Sequence, residues 1–156
     1  MNHYLIVFLI SMVPMIELRG AIPYAVGVGL PLLPSYIIAI IGNMLPVPII
    51  YLFARKVLEV GSNWPVVGGF CRMCMEKGER AGKRLTAKAG KGLFVALMLF
   101  VGIPLPGTGA WTGTLAASIL KMDFKSSIIA VMCGVLLAGI IMGFGSTLFF
   151  SLIRMF

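Results

Sequence analysis

The sequence predicts an all-α integral membrane protein: an inverted repeat of a re-entrant helical hairpin plus a full transmembrane helix, with a basic cytoplasmic surface helix between the halves. Three observations carry this. The 156 residues are 60% hydrophobic and 12% charged, with a mean hydropathy of +1.04, far above a soluble domain. Two apolar stretches are broken by proline, glycine and polar residues, Pro14-Met-Ile-Glu17-Leu-Arg19-Gly20-Ala-Ile-Pro23 and Pro104-Leu-Pro106-Gly107-Thr108-Gly109-Ala-Trp111-Thr112-Gly113. Lipid offers no partner for a freed backbone group, so such breaks persist only where protein or a wet cavity surrounds them. A matched pair, one per half, points to a transporter's binding site. Finally, the net charge of +8 is concentrated: nine basic residues lie from Arg55 to Lys91, opposed by Glu59, Glu76 and Glu79. The positive-inside rule places residues 55–92 in the cytoplasm.

The first hairpin covers residues 4–33. Its apolar legs, 4–13 and 24–33, are each about 15 Å of helix, half of a bilayer core of about 30 Å. The run between them holds two prolines, a glycine and two charges. That composition suits a reversal better than a kink. The other reading is a broken helix that passes through, which moves the termini to the opposite side. Residues 35–54 are long enough for a full span, with Ser35 as its N-cap. Asn43 sits near its centre, and Pro46 and Pro48 should bend it. Asn43 is either a polar group facing a cavity or half of an interhelical hydrogen bond worth about 1 kcal/mol.

Within the basic segment, residues 68–92 read as a surface helix. Glu76–Arg80 and Glu79–Lys83 are i,i+4 pairs in the favourable order, while Gly78 and Gly82 weaken it; a disordered loop is the alternative. A second hairpin follows at 93–120 and a second span at 126–153, with Lys121, Asp123 and Lys125 marking the interface between them. Gly139-Ile-Ile-Met-Gly143 permits close helix approach, to the same chain or to a second copy. Residues 1–54 and 93–156 thus repeat one plan inside a single membrane domain, 1–156. One full span per half inverts the second repeat against the first. The N-terminus has no basic region and no cleavage site before Pro14, so no removable signal peptide is expected.

Several function classes lose support. Cys71 and Cys74 form one C-x-x-C, half of a zinc site, and read as free thiols. There is no nucleophile–base pair, no histidine cluster and no complete metal set, so neither an enzyme nor a metal or cofactor is expected. A basic loop tethered between apolar spans fits anionic lipid headgroups rather than nucleic acid.

The chemistry concentrates in the breaks. Charges inside a membrane are costly and functional by default, which singles out Glu17 and Arg19. In a helix, positions i and i+2 point about 160° apart. In an extended segment they share a face, and Glu17 could then neutralise Arg19. Helix N-termini at the breaks are natural anion sites. Gly20, Gly107 and Gly109 allow close backbone approach, Pro104 and Pro106 hold the turn, Thr108 and Thr112 add hydroxyls, and Trp111 adds a ring for packing or anchoring.

The motif Pro-x-x-Glu17-x-Arg19-Gly20-Ala21-x-Pro23, with Pro104-x-Pro106-Gly107-Thr108-Gly109-Ala-Trp111-Thr112-Gly113, resembles the small multidrug export family of prokaryotic membrane proteins. That family is in turn distantly similar to the DedA/VTT superfamily, which shares paired re-entrant hairpins. The resemblance covers nearly the whole chain. It implies a prokaryotic plasma-membrane protein that moves an anionic lipid or a lipid-phosphate carrier, such as undecaprenyl phosphate, between leaflets. Glu17 and Arg19 would be its working charges and Glu17 its proton-coupling group. DedA proteins carry arginines around the second hairpin, whereas here that tip is uncharged. The alternatives are a proton-coupled exporter of lipophilic cations and a scaffold that transports nothing. A core of this size encloses a cavity poorly alone, so a homodimer is expected.

Overall fold

The structure, a computed structural model, describes residues 2–63, 65, 68–69, 72–73, 76, 92–105 and 108–155. Every regular element among them is an α-helix. The Asn2 side chain accepts from the Tyr4 N–H at 3.2 Å and opens α1 (His3–Met12). α1 stops at Val13, which is extended because it precedes Pro14. Three residues reverse the chain, with Met15 left-handed at φ 69°, and α2 (Glu17–Gly27) returns. The two run antiparallel: His3 Nδ1 meets the Tyr24 hydroxyl at 3.0 Å, and Ile10 lies over Gly20. α2 closes in a Schellman motif. Gly29 takes φ 77°, its N–H bonds Val26 O at 3.1 Å, and the Leu30 N–H bonds Ala25 O at 2.9 Å.

The expected span 35–54 is longer and divided. It comprises α3 (Leu32–Met44) and α4 (Val47–Gly61), interrupted at Leu45–Pro46. Pro34 fits in the first turn of α3, where its missing N–H has no partner to lose. Ser35 is therefore not the N-cap; its hydroxyl donates to Pro31 O at 2.9 Å, inside the helix. The prolines break the ladder as expected, because Pro46 and Pro48 have no N–H to offer. The first part of the basic segment is helical, since α4 runs on to Gly61. Side chains four apart build two opposite faces here. Leu33, Ile37, Ile41, Leu45, Ile49, Phe53 and Val57 are all exposed. Ser35, Ala39, Asn43 and Val47 are all buried. An apolar face left open to the surroundings is what a membrane solvent permits.

The helix expected over 68–92, its Glu76–Arg80 and Glu79–Lys83 pairs, and Cys71 and Cys74 lie outside the described residues, apart from short helical pieces at 68–69, 72–73 and 76. Arg72 Nε donates to Ser62 O at 3.1 Å.

α5 (Gly92–Gly102) and α6 (Ala110–Ile119) fold back on one another, with Gly113 lying against Leu97, Phe100 and Val101. α6 also ends in a Schellman motif. Lys121 is left-handed at φ 53°, and the Met122 N–H bonds Ala117 O at 3.1 Å. The Asp123 carboxylate then accepts from the Ser126 N–H at 3.1 Å and caps α7 (Phe124–Met155). α7 is 32 residues long, overrunning the expected 126–153 at both ends.

The segments Leu32–Gly61 and Phe124–Ile153 are long and apolar enough to cross a membrane. Each short helix of the hairpins, 10 or 11 residues in α1, α2 and α6, falls well short of a bilayer core of about 30 Å. The core joins both halves. Val7, Leu18, Ile22, Val47, Val101, Val131 and Val135 are fully buried, and Ala21, Ala25, Ala39, Ala110, Ala117 and Ala130 admit close helix approach. Polar ties cross it as well. The Tyr36 hydroxyl donates to Leu136 O at 2.7 Å, the Tyr51 hydroxyl to Met122 O, and the Ser118 hydroxyl to Tyr51 O at 2.9 Å. The glycine motif of α7 finds its partner within this chain: Gly139 lies flat against the Tyr36 ring, where a Cβ would fall among ring atoms, and Gly143 lies near Leu32.

Candidate functional site

Glu17 opens α2 in the left-handed region, at φ 52°. For a residue with a Cβ this costs about 1–2 kcal/mol, so something must hold it there. Its side chain is 4% exposed. One carboxylate oxygen accepts from the Ala110 N–H at 3.0 Å, and the other from the Trp111 N–H at 3.0 Å. These are the first two N–H groups of α6, which has no capping side chain of its own. A charge from the first break therefore caps a helix of the second, where unpaired N–H groups and the positive end of the dipole meet it.

Gly109 makes room for that contact. It takes φ 152°, ψ −175°, a conformation essentially reserved for glycine. A Cβ there would stand 2.5 Å and 2.7 Å from the two Glu17 oxygens. This is the close approach that the glycine-rich turn implied, and what approaches is a carboxylate of the same chain.

Arg19, two residues along α2 and half-buried, serves the other side of the same break. Nη1 donates to Leu105 O at 2.6 Å. Nη2 reaches Val101 O and Ile103 O at 3.1 Å each and Thr108 Oγ1 at 2.9 Å. Val101 O at the end of α5 and the carbonyls of the break just beyond it lack helical donors, and the negative end of the α5 dipole lies here. The planar guanidinium fork can meet several of them at once. Thr108 completes the knot, its hydroxyl lying 3.0 Å from Ile103 O and 2.9 Å from Leu105 O.

Glu17 and Arg19 are thus not partners of each other. Among the described residues no hydrogen bond or ion pair joins them; each is spent on an opposite end of the second break. The neutralisation that an extended segment would have allowed gives way to a bridge between the two halves, because helix ends in an apolar interior leave backbone groups that must be satisfied.

The remaining expected residues divide. Thr112 lies one step further along α6, its hydroxyl 3.4 Å from Gly109 O. Trp111 is half-buried, and its indole Nε1 is a buried donor without a partner among the described residues. Pro104 lies in the break, half-buried, while Pro106 and Gly107 are outside the described residues. Gly20 sits on α2 against Ile16 and takes no part in the bridge. Asn43 belongs to the interior face of α3, and its Oδ1 has no hydrogen-bond partner among the described residues. What the sequence did not mark are the backbone groups of Val101, Ile103, Leu105, Ala110 and Trp111. The only available signal was the break itself, which announces unsatisfied N–H and C=O groups without saying what meets them.

The model of a family described as "Putative small multi-drug export protein" matches residues 17–141, from Glu17 inside the first break through the second and into α7. The chain belongs to this family. No curated protein and no solved structure matches it. Membership and the long apolar helices together mark a membrane protein of an export family. Both charges of the bridge fall within the matched region, as do all the groups they hold.

Proposed function

We propose that this member of the small multidrug export family is a transporter that moves an anionic lipid, of the lipid-phosphate class, between leaflets, with the Glu17–α6 contact as its moving part. The observation that carries this reading is a buried carboxylate occupying an anion niche from a strained backbone position. A phosphate offers the same acceptor oxygens to helix N–H groups and could exchange with Glu17 there. A protonated Glu17 has lost one acceptor and gained a donor, so it can no longer satisfy both N–H groups. Neutralisation also lowers the cost of moving the side chain through apolar surroundings. Proton uptake would therefore loosen the niche and admit the headgroup. Arg19, bonded to Thr108 beside the niche, is the cation that the headgroup would meet next.

In this reading the two hairpins are re-entrant and enter from opposite faces, as in the DedA/VTT proteins. Residues 55–92 lie in the cytoplasm of a prokaryotic cell, anionic lipids are the partners, and the chain works as a homodimer without cofactor or enzymatic step. A second reading, export of lipophilic cations in exchange for protons at Glu17, is favoured by the family's description.

Purified protein in vesicles separates them. A fluorescent lipid phosphate, quenched from outside, should exchange between leaflets with the native chain and markedly more slowly with Glu17→Gln. Efflux of ethidium driven by a pH gradient, with no lipid movement, would replace the first reading by the second. Neither activity in a correctly folded protein would leave a scaffold.

A further inference from the structure

The interruption between α3 and α4 has the makings of a second site, remote in sequence from the Glu17 bridge. Asn43 is 2% exposed, and its Oδ1 is buried without a hydrogen-bond partner among the described residues. A buried amide in an apolar segment is costly unless satisfied, and an unpaired one in a native fold calls for a partner such as a bound water or ion. Its surroundings are rich in acceptors. Residues 46 and 48 are prolines, so the carbonyls four residues before them, Gly42 O and Met44 O, have no N–H of the usual helical register to accept from. Two carbonyls without a helical donor thereby flank one unpaired amide oxygen. Asn43 lies on the interior face with Ser35, Ala39 and Val47, away from the open apolar face, and inside the apolar segment Leu32–Gly61. Unwound carbonyls at a broken helix are how membrane transporters hold small monovalent cations.

We infer that Asn43 Oδ1 and the carbonyls freed by Pro46 and Pro48 form a site for a dehydrated alkali cation, Na+ or one of similar size. An amide oxygen and two carbonyls offer acceptors to a cation, with the Asn43 Nδ2 donors on the far side of the amide. Neutral oxygens suit a single charge, since a divalent ion would call for carboxylates. This inference concerns binding and stands apart from the identity of the transported molecule; a failure of lipid transport would leave it untouched.

The test uses the full chain in detergent or nanodiscs, with NaCl, LiCl, KCl and choline chloride compared at equal ionic strength by thermal unfolding. At a Na+ concentration ten times the dissociation constant, the melting temperature should exceed that in choline by about 3–6 °C. Asn43→Leu should abolish the difference between Na+ and choline, and Asn43→Asp should enlarge it. Equal melting temperatures in all four salts up to molar concentration would overturn the site. A Na+ effect fully retained in Asn43→Leu would overturn its assignment to Asn43. If neither variant folds, equal melting temperatures of the native chain in Na+ and choline would still overturn the site.

Discussion

Replacing Glu17 with glutamine changes one atom and separates two accounts of the bridge. The carboxylate receives the Ala110 and Trp111 N–H groups on different oxygens, each at 3.0 Å. Glutamine keeps one acceptor and turns an amide donor toward the other N–H. One charge-assisted bond is lost, worth about 1.5–3 kcal/mol, together with a helix-dipole interaction of up to about 2 kcal/mol in partly buried geometry. The expected cost is about 2–4 kcal/mol, or a fall in melting temperature of roughly 5–15 °C for a chain of this size. Trp111 serves as a local probe, because the chain has two tryptophans and Trp64→Phe leaves it alone. Its fluorescence should change in Glu17→Gln at temperatures where the chain remains folded. Glu17→Asp, one methylene shorter, should lie between the two. A melting temperature within about 2 °C of the native value, with unchanged Trp111 emission, would refute the claim that this carboxylate holds the α6 N-terminus.

Gly109→Ala places a Cβ within 2.5–2.8 Å of the Glu17 carboxyl group. It should cost at least as much as Glu17→Gln, and the double variant should lose clearly less than the sum in thermal unfolding. Arg19→Lys keeps the charge but not the fork across Val101, Ile103 and Leu105 carbonyls, so it should recover only part of the loss of about 3–5 kcal/mol expected for Arg19→Ala. Along α7, Gly139→Val should be strongly destabilising because its Cβ meets the Tyr36 ring. Gly145→Ala, with open space around it, should be neutral or stabilising by up to about 1 kcal/mol. Tyr36→Phe removes a single bond to Leu136 O and should cost about 1 kcal/mol in the same assay.

Much of the architecture was written in residue types. Pro14 and the run Pro104–Gly109 announced the reversals, because proline and glycine act on the backbone wherever they stand. Pro46 and Pro48 announced the interruption of the first long segment for the same reason. Start positions were less legible: Ser35 looked like a cap, yet Pro34 is equally content within the first turn, and the helix begins at Leu32. Glu17 and Arg19 were visible as charges in an apolar setting, but their partners were not. Their spacing allowed mutual neutralisation in an extended segment and opposed it in a helix. Their actual partners are backbone atoms of residues 101–111, and a backbone amide has no letter of its own. The Gly139–Gly143 spacing foretold close contact, while the partner, Tyr36 of the same chain, required the fold.

The bridge also sets an order of events during synthesis. Glu17 and Arg19 leave the ribosome some ninety residues ahead of the groups they bind at Leu105, Thr108, Ala110 and Trp111. At about 5–20 residues per second, the first hairpin waits roughly 5–20 s with two unsatisfied charges. During that interval the insertion machinery must shelter them, or they must turn to each other and exchange partners later. The N-terminal half is thus a membrane segment whose final placement awaits the C-terminal half, and a chain truncated before Ala110 should be held back by quality control rather than released into lipid.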